Sequence, residues 1–291
     1  MSSSERPVSE VMHEQILECP SDTPLAEAAE RMRARGCSSI IVRDGGEPLG
    51  IWTERDALGV DFSAPGHWDT PIGAHMNAPI RTVSAGTTVG EAAVRFKEEH
   101  VRHFLVVDGD GASLGVVTQT DVVLNHGVEW YLRLRETASV LHREPLMVPA
   151  DTPLSRTTAR MREARSEAVL VREDSGDWGI LTERDAVAAL AERRGDPPVG
   201  ELASFPLLTV AGNTSLFHAR NRMVERGIRH IGVTDAGGSL RGLVSFEDVL
   251  DSVEYMYVEE LQETLKERDQ ALATSQRNLR LAERIIESSL E

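Results

Sequence analysis

Four pairs of a hydroxyl-bearing residue and an aspartate stand out as groups that could bind a phosphorylated ligand. Each pair closes a segment with the order Gly, two apolar residues, Thr or Ser, two further residues and Asp. The glycines of these segments lie 65, 64 and 63 residues apart, so the chain contains a fourfold internal repeat. The pairs are Thr53 with Asp56, Thr118 with Asp121, Thr182 with Asp185, and Ser245 with Asp248.

The chemistry of each pair has two interpretations. A Thr or Ser that ends a strand and begins a helix places its hydroxyl beside free backbone N–H groups and the positive end of the helix dipole, which favours an anion. An Asp one turn later can accept two hydrogen bonds, which suits the vicinal hydroxyls of a ribose. The same spacing is also that of a capping box, although the box favours Glu or Gln at the position where all four copies have Asp.

The flanking sequence predicts the elements that position these pairs. In each copy an apolar-periodic run typical of a helix is followed by a β-branched run typical of a strand. A turn with Gly and Asp then leads into the glycine-led strand, and the motif begins the last helix. We therefore predict an α/β (α+β) fold of four units, each with the order strand, helix, strand, turn, strand, helix. The units lie at 8–61, 72–126, 145–192 and 199–252, with a helical connector at 127–144.

The composition argues against several classes of partner. A formal net charge of −16 over 291 residues disfavours nucleic acid, because phosphate binding needs a clustered basic surface. Apolar runs stay well short of the roughly 18 residues of a membrane span, and the first ten residues lack the apolar core of a signal peptide. The lone thiols of Cys19 and Cys37 predict a reducing, cytoplasmic setting.

Catalytic and metal-binding motifs are missing from the sequence. The two lysines, Lys97 and Lys266, do not follow a glycine, which excludes a P-loop. H-E-x-x-H and C-x-x-C do not occur, and G-x-S-x-G occurs once, at residues 111–115. That copy leads from a turn into a predicted strand, whereas the nucleophile elbow of a hydrolase lies between a strand and a helix. We therefore predict neither enzyme activity, nor a covalent cofactor, nor a metal site.

The unit order, the pairing of units 1 with 2 and 3 with 4, and the closing motif resemble the cystathionine-β-synthase (CBS) repeat, two of which form a Bateman module. The resemblance covers roughly residues 8–252. It implies two modules with two clefts each, and an adenosine-containing ligand: AMP, ADP, ATP or S-adenosylmethionine, with or without Mg2+. Carried onto this chain, it assigns the Thr or Ser of each motif to phosphate and the Asp to ribose.

Two Arg-His pairs are further phosphate candidates. Arg102–His103 and Arg229–His230 resemble the R-H-x-P-V-V of nucleotide-binding CBS repeats, with Leu105 or Gly232 where the family often has the proline. For both histidines, a strand residue with a satisfied hydrogen bond is an equally good interpretation.

The four sites are not expected to be equivalent. Units 1 and 3 lack the Arg-His pair and carry Arg55 and Arg184 in a T-E-R-D segment, where we expect both side chains to face water. In unit 4, Glu247 precedes Asp248 and should disfavour a triphosphate by repulsion.

The sequence of residues 253–291 predicts a long helix that forms a coiled coil, because apolar residues recur there every seven positions from Val258. Half of the seam is polar or small, so the coiled coil should be weak, and a helix folded back on the modules is the alternative. The last residues resemble the signalling helix that leads into PAS, diguanylate cyclase or histidine-kinase output regions. We therefore expect an output domain beyond residue 291.

Together these features predict a regulatory sensor. An adenine nucleotide or S-adenosylmethionine would bind the clefts, and the change would pass through a homodimeric C-terminal helix to the output domain. The partners would be the nucleotide and a second copy of the chain, with neither nucleic acid nor membrane. The alternative is a structural dimerisation or interaction module without a ligand.

Overall fold

The computed structural model describes residues 5–125, 129–141 and 144–252. Each of the four units contains a three-stranded sheet in which the first strand pairs parallel with the second and the third pairs antiparallel with the second. The strands are β1 Glu18–Cys19, β2 Ser39–Asp44, β3 Glu47–Thr53, β4 Thr82–Ser84, β5 His103–Val107, β6 Ser113–Thr118, β7 Met147–Pro149, β8 Ala168–Arg172, β9 Trp178–Thr182, β10 Thr209–Ala211, β11 His230–Thr234 and β12 Leu240–Ser245.

The helices occupy the predicted places in every unit: one between the first and second strands, one after the third. A further helix, α5, lies between units 2 and 3. The predicted α/β fold is therefore confirmed; the predicted coiled coil at 253–291 lies outside the described residues. The helices are α1 Leu25–Arg35, α2 Glu54–Ala57, α3 Val89–Glu98, α4 Gln119–Asn125, α5 Glu129–Leu134, α6 Leu154–Ala164, α7 Glu183–Ala191, α8 Leu216–Arg226 and α9 at 246–252.

The first helix of each unit ends in a left-handed residue that turns the chain directly into the second strand. Glycine takes this conformation at Gly36 and Gly227, both with φ of 63°. Non-glycine residues take it at His100 (φ 54°) and Arg165 (φ 50°). The second strand therefore begins three residues after the left-handed residue in every unit.

A short arm before the first strand of a unit packs on the other unit of the same module. Backbone bridges join His13 to Val116 and Asn77 to Ile51, so the arms of units 1 and 2 exchange places. In the second module Ser204 bridges to Ile180 in the same way. The predicted pairing of units 1 with 2 and 3 with 4 is thus built from these reciprocal arms.

The glycine of each repeated motif lies where an arm crosses the third strand. A Cβ built on Gly50 would lie 2.5 Å from the backbone oxygen of Asn77, and one on Gly115 would lie 2.6 Å from that of His13. At Gly179 it would lie 2.5 Å from the ring of Phe205. The motif therefore begins with glycine because a side chain there would push the arm away.

Apolar cores join the units in two directions. Within the first module the two sheets meet through Ile41, Ile51, Leu105 and Val116. Two larger cores then combine unit 1 with unit 3, and unit 2 with unit 4, largely through their helices. The most extensive helix–helix contact between the modules is that of α1 with α7. Within the described ranges, every helix is too short or too polar to cross a lipid bilayer.

Candidate functional site

The four motifs form the same local structure, and the capping-box interpretation is confirmed. In each, the carboxylate Oδ2 of the Asp accepts hydrogen bonds from the backbone N–H and the hydroxyl of the Thr or Ser three residues earlier. At Asp56 both donor–acceptor distances are 2.8 Å, and at Asp185 they are 2.6 and 2.8 Å. Asp121 and Asp248 repeat the arrangement. Because both bonds go to one oxygen, Oδ1 of each Asp is left for another partner.

That second oxygen is occupied in the first module. Asn77 Nδ2 donates to Asp56 Oδ1 at 2.7 Å, and His13 Nε2 lies 3.0 Å from Asp121 Oδ1. Both partners come from the exchanged arms. Among the described residues, no hydrogen bond reaches Oδ1 of Asp185 or of Asp248. Each of these Asp residues can therefore cap its helix through Oδ2 and accept another hydrogen bond through Oδ1.

Burial raises the pKa of the carboxyl groups of Asp56, Asp185 and Asp248, while the hydrogen bonds from Thr53, Thr182 and Ser245 oppose it. The ionised form of a partly desolvated carboxylate is stabilised when a hydrogen-bond donor reaches its free oxygen.

A first cleft, here cleft 1, joins the motif of unit 1 to the Arg-His pair of unit 2. It is a cavity of about 370 Å³, and Thr53, Asp56, Arg102 and His103 line it together with Arg55. The arm at residues 77–79, with a cis peptide before Pro79, forms its other wall. The Arg-His pair thus serves the motif of the neighbouring unit and not that of its own unit, which the sequence alone did not indicate.

Cleft 3 has the same design in the second module. It is a cavity of about 250 Å³, lined by Thr182 and Asp185 of unit 3 with Arg229 and His230 of unit 4. The arm again forms a wall, here with a cis peptide before Pro206. Eight of the twelve predicted site residues therefore lie in two clefts of matching composition.

Cleft 2, around Thr118 and Asp121, is larger and differs in its cations. Its cavity of about 680 Å³ has Ser38 and Ser39 of unit 1 at the positions that Arg102 and His103 occupy in unit 2. Arg35 of unit 1 lines it, and Arg184 and Arg229 reach it from the second module. Cleft 2 therefore lies against the module interface.

The motif of unit 4, Ser245 with Asp248, has an acidic setting, and we call its surroundings cleft 4. Glu167 of unit 3 stands at the position equivalent to Arg102, and Glu247 precedes Asp248. Burial and the nearby Glu167 raise the pKa of Glu247. Residues 142 and 143 lie outside the described ranges.

A group of ion pairs at the module interface connects clefts 1 and 3. The sequence did not indicate the carboxylates of this group. Glu54 and Glu183, the second residues of the two T-E-R-D segments, are 4% and 3% exposed. Arg229 donates to Glu54, and Arg102 Nη2 donates to Glu183 Oε2 at 2.6 Å. Arg102 also donates to Glu167. We call these five side chains the interface ion cluster.

Arg55 and Arg184 add a second set of contacts to this cluster. Their side chains are 42% and 54% exposed, so they face water in part, as expected. Their guanidinium groups nevertheless lie 3.5 Å from Glu183 and 3.2 Å from Glu54, each on the opposite module. The T-E-R-D segments of units 1 and 3 therefore contact each other across the interface.

The pKa values in the cluster reflect its mixture of burial and opposite charge. Burial opposes ionisation of Arg102, but Glu167 and Glu183 raise its pKa above the ordinary value. Burial would raise the pKa of Glu167, yet Arg102 and His230 hold it well below its usual range. For Glu183, burial dominates and raises the pKa, with Arg102 opposing. The cation of Arg102 is thus what allows two carboxylates to share this site.

The two histidines have different partners. His103 Nε2 lies 2.8 Å from the hydroxyl of Ser38, and His230 Nε2 lies 3.4 Å from Glu167. Loss of hydration, with the positive charges of Arg102 and Arg229, lowers the pKa of His103 to about 3. His103 is therefore a neutral hydrogen-bonding group at physiological pH.

Comparison with known proteins places the chain among repeats of one kind. A family model described as CBS domain matches four segments, residues 8–62, 72–125, 138–192 and 199–255. The uncharacterized protein MJ1404 of Methanocaldococcus jannaschii is 24% identical over 263 residues, covering 84% of this chain and 61% of that protein. MK0525 of Methanopyrus kandleri is 34% identical over 106 residues, covering 36% of this chain and 54% of that protein. The aligned part spans less than two thirds of either relative.

Solved structures share the fold at low identity. The crystal structure of protein MJ1225 from Methanocaldococcus jannaschii has a TM-score of 0.70 and 16% identity, covering 84% of this chain and 99% of that chain. An uncharacterized conserved protein from Pyrococcus horikoshii has a TM-score of 0.56 and 18% identity over the same shares. At these identities the likeness concerns the fold alone. With four matched segments that cover most of its length, the chain belongs to the CBS-domain family.

Proposed function

We propose that the chain is a sensor that binds adenine nucleotides in clefts 1 and 3. The observation that carries this proposal is the convergence, twice, of a Thr-x-x-Asp motif from one unit with an Arg-His pair from its partner. The hydroxyl and helix start suit a phosphate, and the Oδ1 atom of the Asp suits ribose hydroxyls; among the described residues it is free in Asp185 and takes one bond from Asn77 in Asp56. CBS-domain proteins often bind adenosine-containing ligands, which supports the same assignment.

The clefts should differ in what they accept. Clefts 1 and 3 each offer the arginine of an Arg-His pair to a phosphate, whereas unit 3 has Glu167 at the position equivalent to that arginine for the motif of unit 4. Glu247, which lines neither cleft 1 nor cleft 3, directly precedes Asp248, and its carboxylate would repel a phosphate at cleft 4. We therefore propose that AMP, ADP or ATP binds clefts 1 and 3 first, and that cleft 4 is empty or takes a ligand of lower charge such as S-adenosylmethionine.

The remaining steps of the proposal concern transmission. The chain would act without enzyme activity, in the cytoplasm, as a homodimer whose C-terminal helix carries the change from unit 4 to an output domain. α9 begins directly at the motif of unit 4, which supports a mechanical connection between that site and the tail. A ligand can shift the arrangement only by its differential affinity for the two states.

The alternative, a structural module without a ligand, has one observation in its favour. Asp56 and both cleft arginines already have protein partners: Asn77 for the carboxylate, and glutamates for Arg102 and Arg229. A site whose groups are satisfied without a ligand can serve packing alone.

Calorimetry of the full chain separates the two. Binding of AMP, ADP, ATP or S-adenosylmethionine, with and without Mg2+, is measured for the wild type and for Asp185→Ala. Losing the ribose acceptor should weaken binding by about 1–3 kcal/mol, or about ten- to a hundredfold. The matched control is Glu91→Ala, which removes the capping box of α3 away from the clefts.

The control fixes the interpretation. Both variants should lose about 1 kcal/mol of stability as helix caps, and only Asp185→Ala should lose affinity. Absence of binding heat for every ligand, at several temperatures, would favour the structural module.

A further inference from the structure

The arginine that each nucleotide cleft offers to a phosphate is held by a carboxylate of the other module. Arg102 lines cleft 1, and its partners Glu167 and Glu183 belong to unit 3. Arg229 lines cleft 3, and its partner Glu54 belongs to unit 1. The two clefts therefore exchange ionic partners in a pseudo-symmetric way.

The same carboxylates lie at the opposite binding site. Glu167 and Glu183 are both part of the lining of cleft 3. Glu54 follows Thr53, the residue that begins the motif of cleft 1. Each cation of one cleft thus neutralises an anion at the other.

These carboxylates depend on that neutralisation because they are buried. Glu54 and Glu183 are almost fully buried, and Glu183 Oε1 lacks a hydrogen bond among the described residues, with only the 3.5 Å ion pair to Arg55. A buried charge that loses its partner is strongly destabilising. Its repulsion of a nearby anion is also stronger than in water, because the local dielectric is low.

We infer that clefts 1 and 3 bind phosphate-bearing ligands with negative coupling, so that occupation of one cleft weakens binding at the other. This inference rests on the proposed function. A phosphate in cleft 1 draws the guanidinium of Arg102 away from Glu167 and Glu183, which leaves cleft 3 more negative. A phosphate in cleft 3 draws Arg229 away from Glu54 and has the reciprocal effect, as thermodynamic linkage requires.

The coupling is measured with a cycle of variants of the full chain. Asp121→Ala and Asp248→Ala in all proteins disable clefts 2 and 4. Adding Asp56→Ala leaves cleft 3, adding Asp185→Ala leaves cleft 1, and calorimetry with AMP gives the two single-cleft constants. With both clefts intact, the product of the two stepwise association constants should fall about 5- to 150-fold below the product of the single-cleft constants.

The cause is tested by removing the buried carboxylates. Glu54→Gln with Glu183→Gln should bring the two products within about twofold of each other and tighten the single-cleft constants, because a competitor for each arginine is gone. The matched control is Glu192→Gln, which breaks an ion pair that also crosses the module interface, 3.0 Å from Arg33, but lines neither cleft 1 nor cleft 3. The control should keep the full coupling.

The possible outcomes distinguish failure of the negative coupling from failure of nucleotide binding itself. The protein with both clefts intact could bind one AMP while each single-cleft variant also binds one. That result would mean that the negative coupling is at its strongest. Equal products, or binding in just one of the two single-cleft variants, would overturn the coupling and leave nucleotide binding in place. No binding in any of these proteins would overturn both. Coupling that persists in the double Gln variant would exclude these carboxylates as its cause.

Discussion

At the scale of single residues, the site is built from groups that do two things at once. Asp185 caps α7 through Oδ2 and leaves Oδ1 free among the described residues. Arg102 stabilises two carboxylates across the interface and also faces cleft 1. Under the proposed function, a ligand would therefore enter a set of satisfied interactions and replace some of them, and its binding would change the packing of the modules.

His103 leads to a prediction about pH. Its pKa in the folded protein is about 3, against an ordinary value of 6.5. The folded state then binds fewer protons than the unfolded state between these values, so stability is complete above about pH 6.5 and falls as the pH drops toward 3. Between pH 7.5 and 5 the free energy of unfolding should fall by up to about 2 kcal/mol from this residue.

Urea unfolding at the two pH values measures this loss. In His103→Asn, which can still bond to Ser38, the difference between pH 7.5 and 5 should shrink by that amount. His218→Asn, at an exposed position of α8, is the control and should leave the difference unchanged. An unaltered pH dependence in His103→Asn would show that the histidine carries a proton in the folded state.

The sequence indicated the residues that line clefts 1 and 3, but not the buried glutamates that pair with their arginines. The repeated motif and the Arg-His pairs were visible from their equivalent positions in the repeats. Each pair, however, lies with the motif of the preceding unit, which depends on how the sheets face each other. Glu54 and Glu183 were missed because a glutamate in the first turn of a helix is usually solvated. The available signal was that T-E-R-D occurs in units 1 and 3, whereas Gln119 and Phe246 replace its glutamate in units 2 and 4.

At the scale of elements, the arms explain what the repeat alone could not. The strand and helix order of each unit followed from periodicity and turn residues. The arms are too short and irregular for such a signal, yet they bridge the third strands and line clefts 1 and 3. Their positions are set by close contacts with the motif glycines, which only the folded structure shows.

The motif glycines Gly50 and Gly242 occupy equivalent positions, and we expect their substitution by Ala to cost different amounts of stability. At Gly50 a Cβ meets the backbone oxygen of Asn77 at 2.5 Å, whereas at Gly242 it meets the mobile end of Leu141 at 2.9 Å. Gly50→Ala should lower the free energy of unfolding by about 1–3 kcal/mol, because the arm must move. Gly242→Ala should cost less than about 1 kcal/mol, because a side chain can shift.

Chemical denaturation of both variants provides the measurement, with nucleotide binding as a second readout. Displacement of the arm at Asn77 should also weaken binding in cleft 1 for Gly50→Ala. Equal stability losses in the two variants would contradict the role assigned to the arms.

At the scale of the whole molecule, the two modules share their cores and their charges. The cores that join units 1 and 3, and units 2 and 4, make the two modules one packed body. The number of units and their pairing followed from the spacing of the repeat. Which units would meet across the modules did not, since all four carry similar apolar helices.

Ligand binding should therefore stabilise the whole described fold. At a free AMP concentration 100-fold above the dissociation constant, one occupied cleft should add about 2.7 kcal/mol to the free energy of unfolding. In the double variant Asp56→Ala, Asp185→Ala a ten- to hundredfold weaker affinity should reduce this gain to about 0.4–1.4 kcal/mol per cleft at the same AMP concentration, and Glu91→Ala should show all of it. Thermal or urea unfolding with and without AMP measures the difference, and a full gain in the double variant would place the ligand elsewhere.

The most direct test of the central claim is a crystal structure of the full chain with whichever of AMP, ADP or ATP binds most tightly. The account predicts a nucleotide in cleft 1 or cleft 3, its ribose hydroxyls on Oδ1 of Asp56 or Asp185. Its phosphate should lie beside the Thr of the same motif and the Arg of the partner unit. A nucleotide bound away from these aspartates, or clefts filled with solvent alone at saturating ligand, would contradict it.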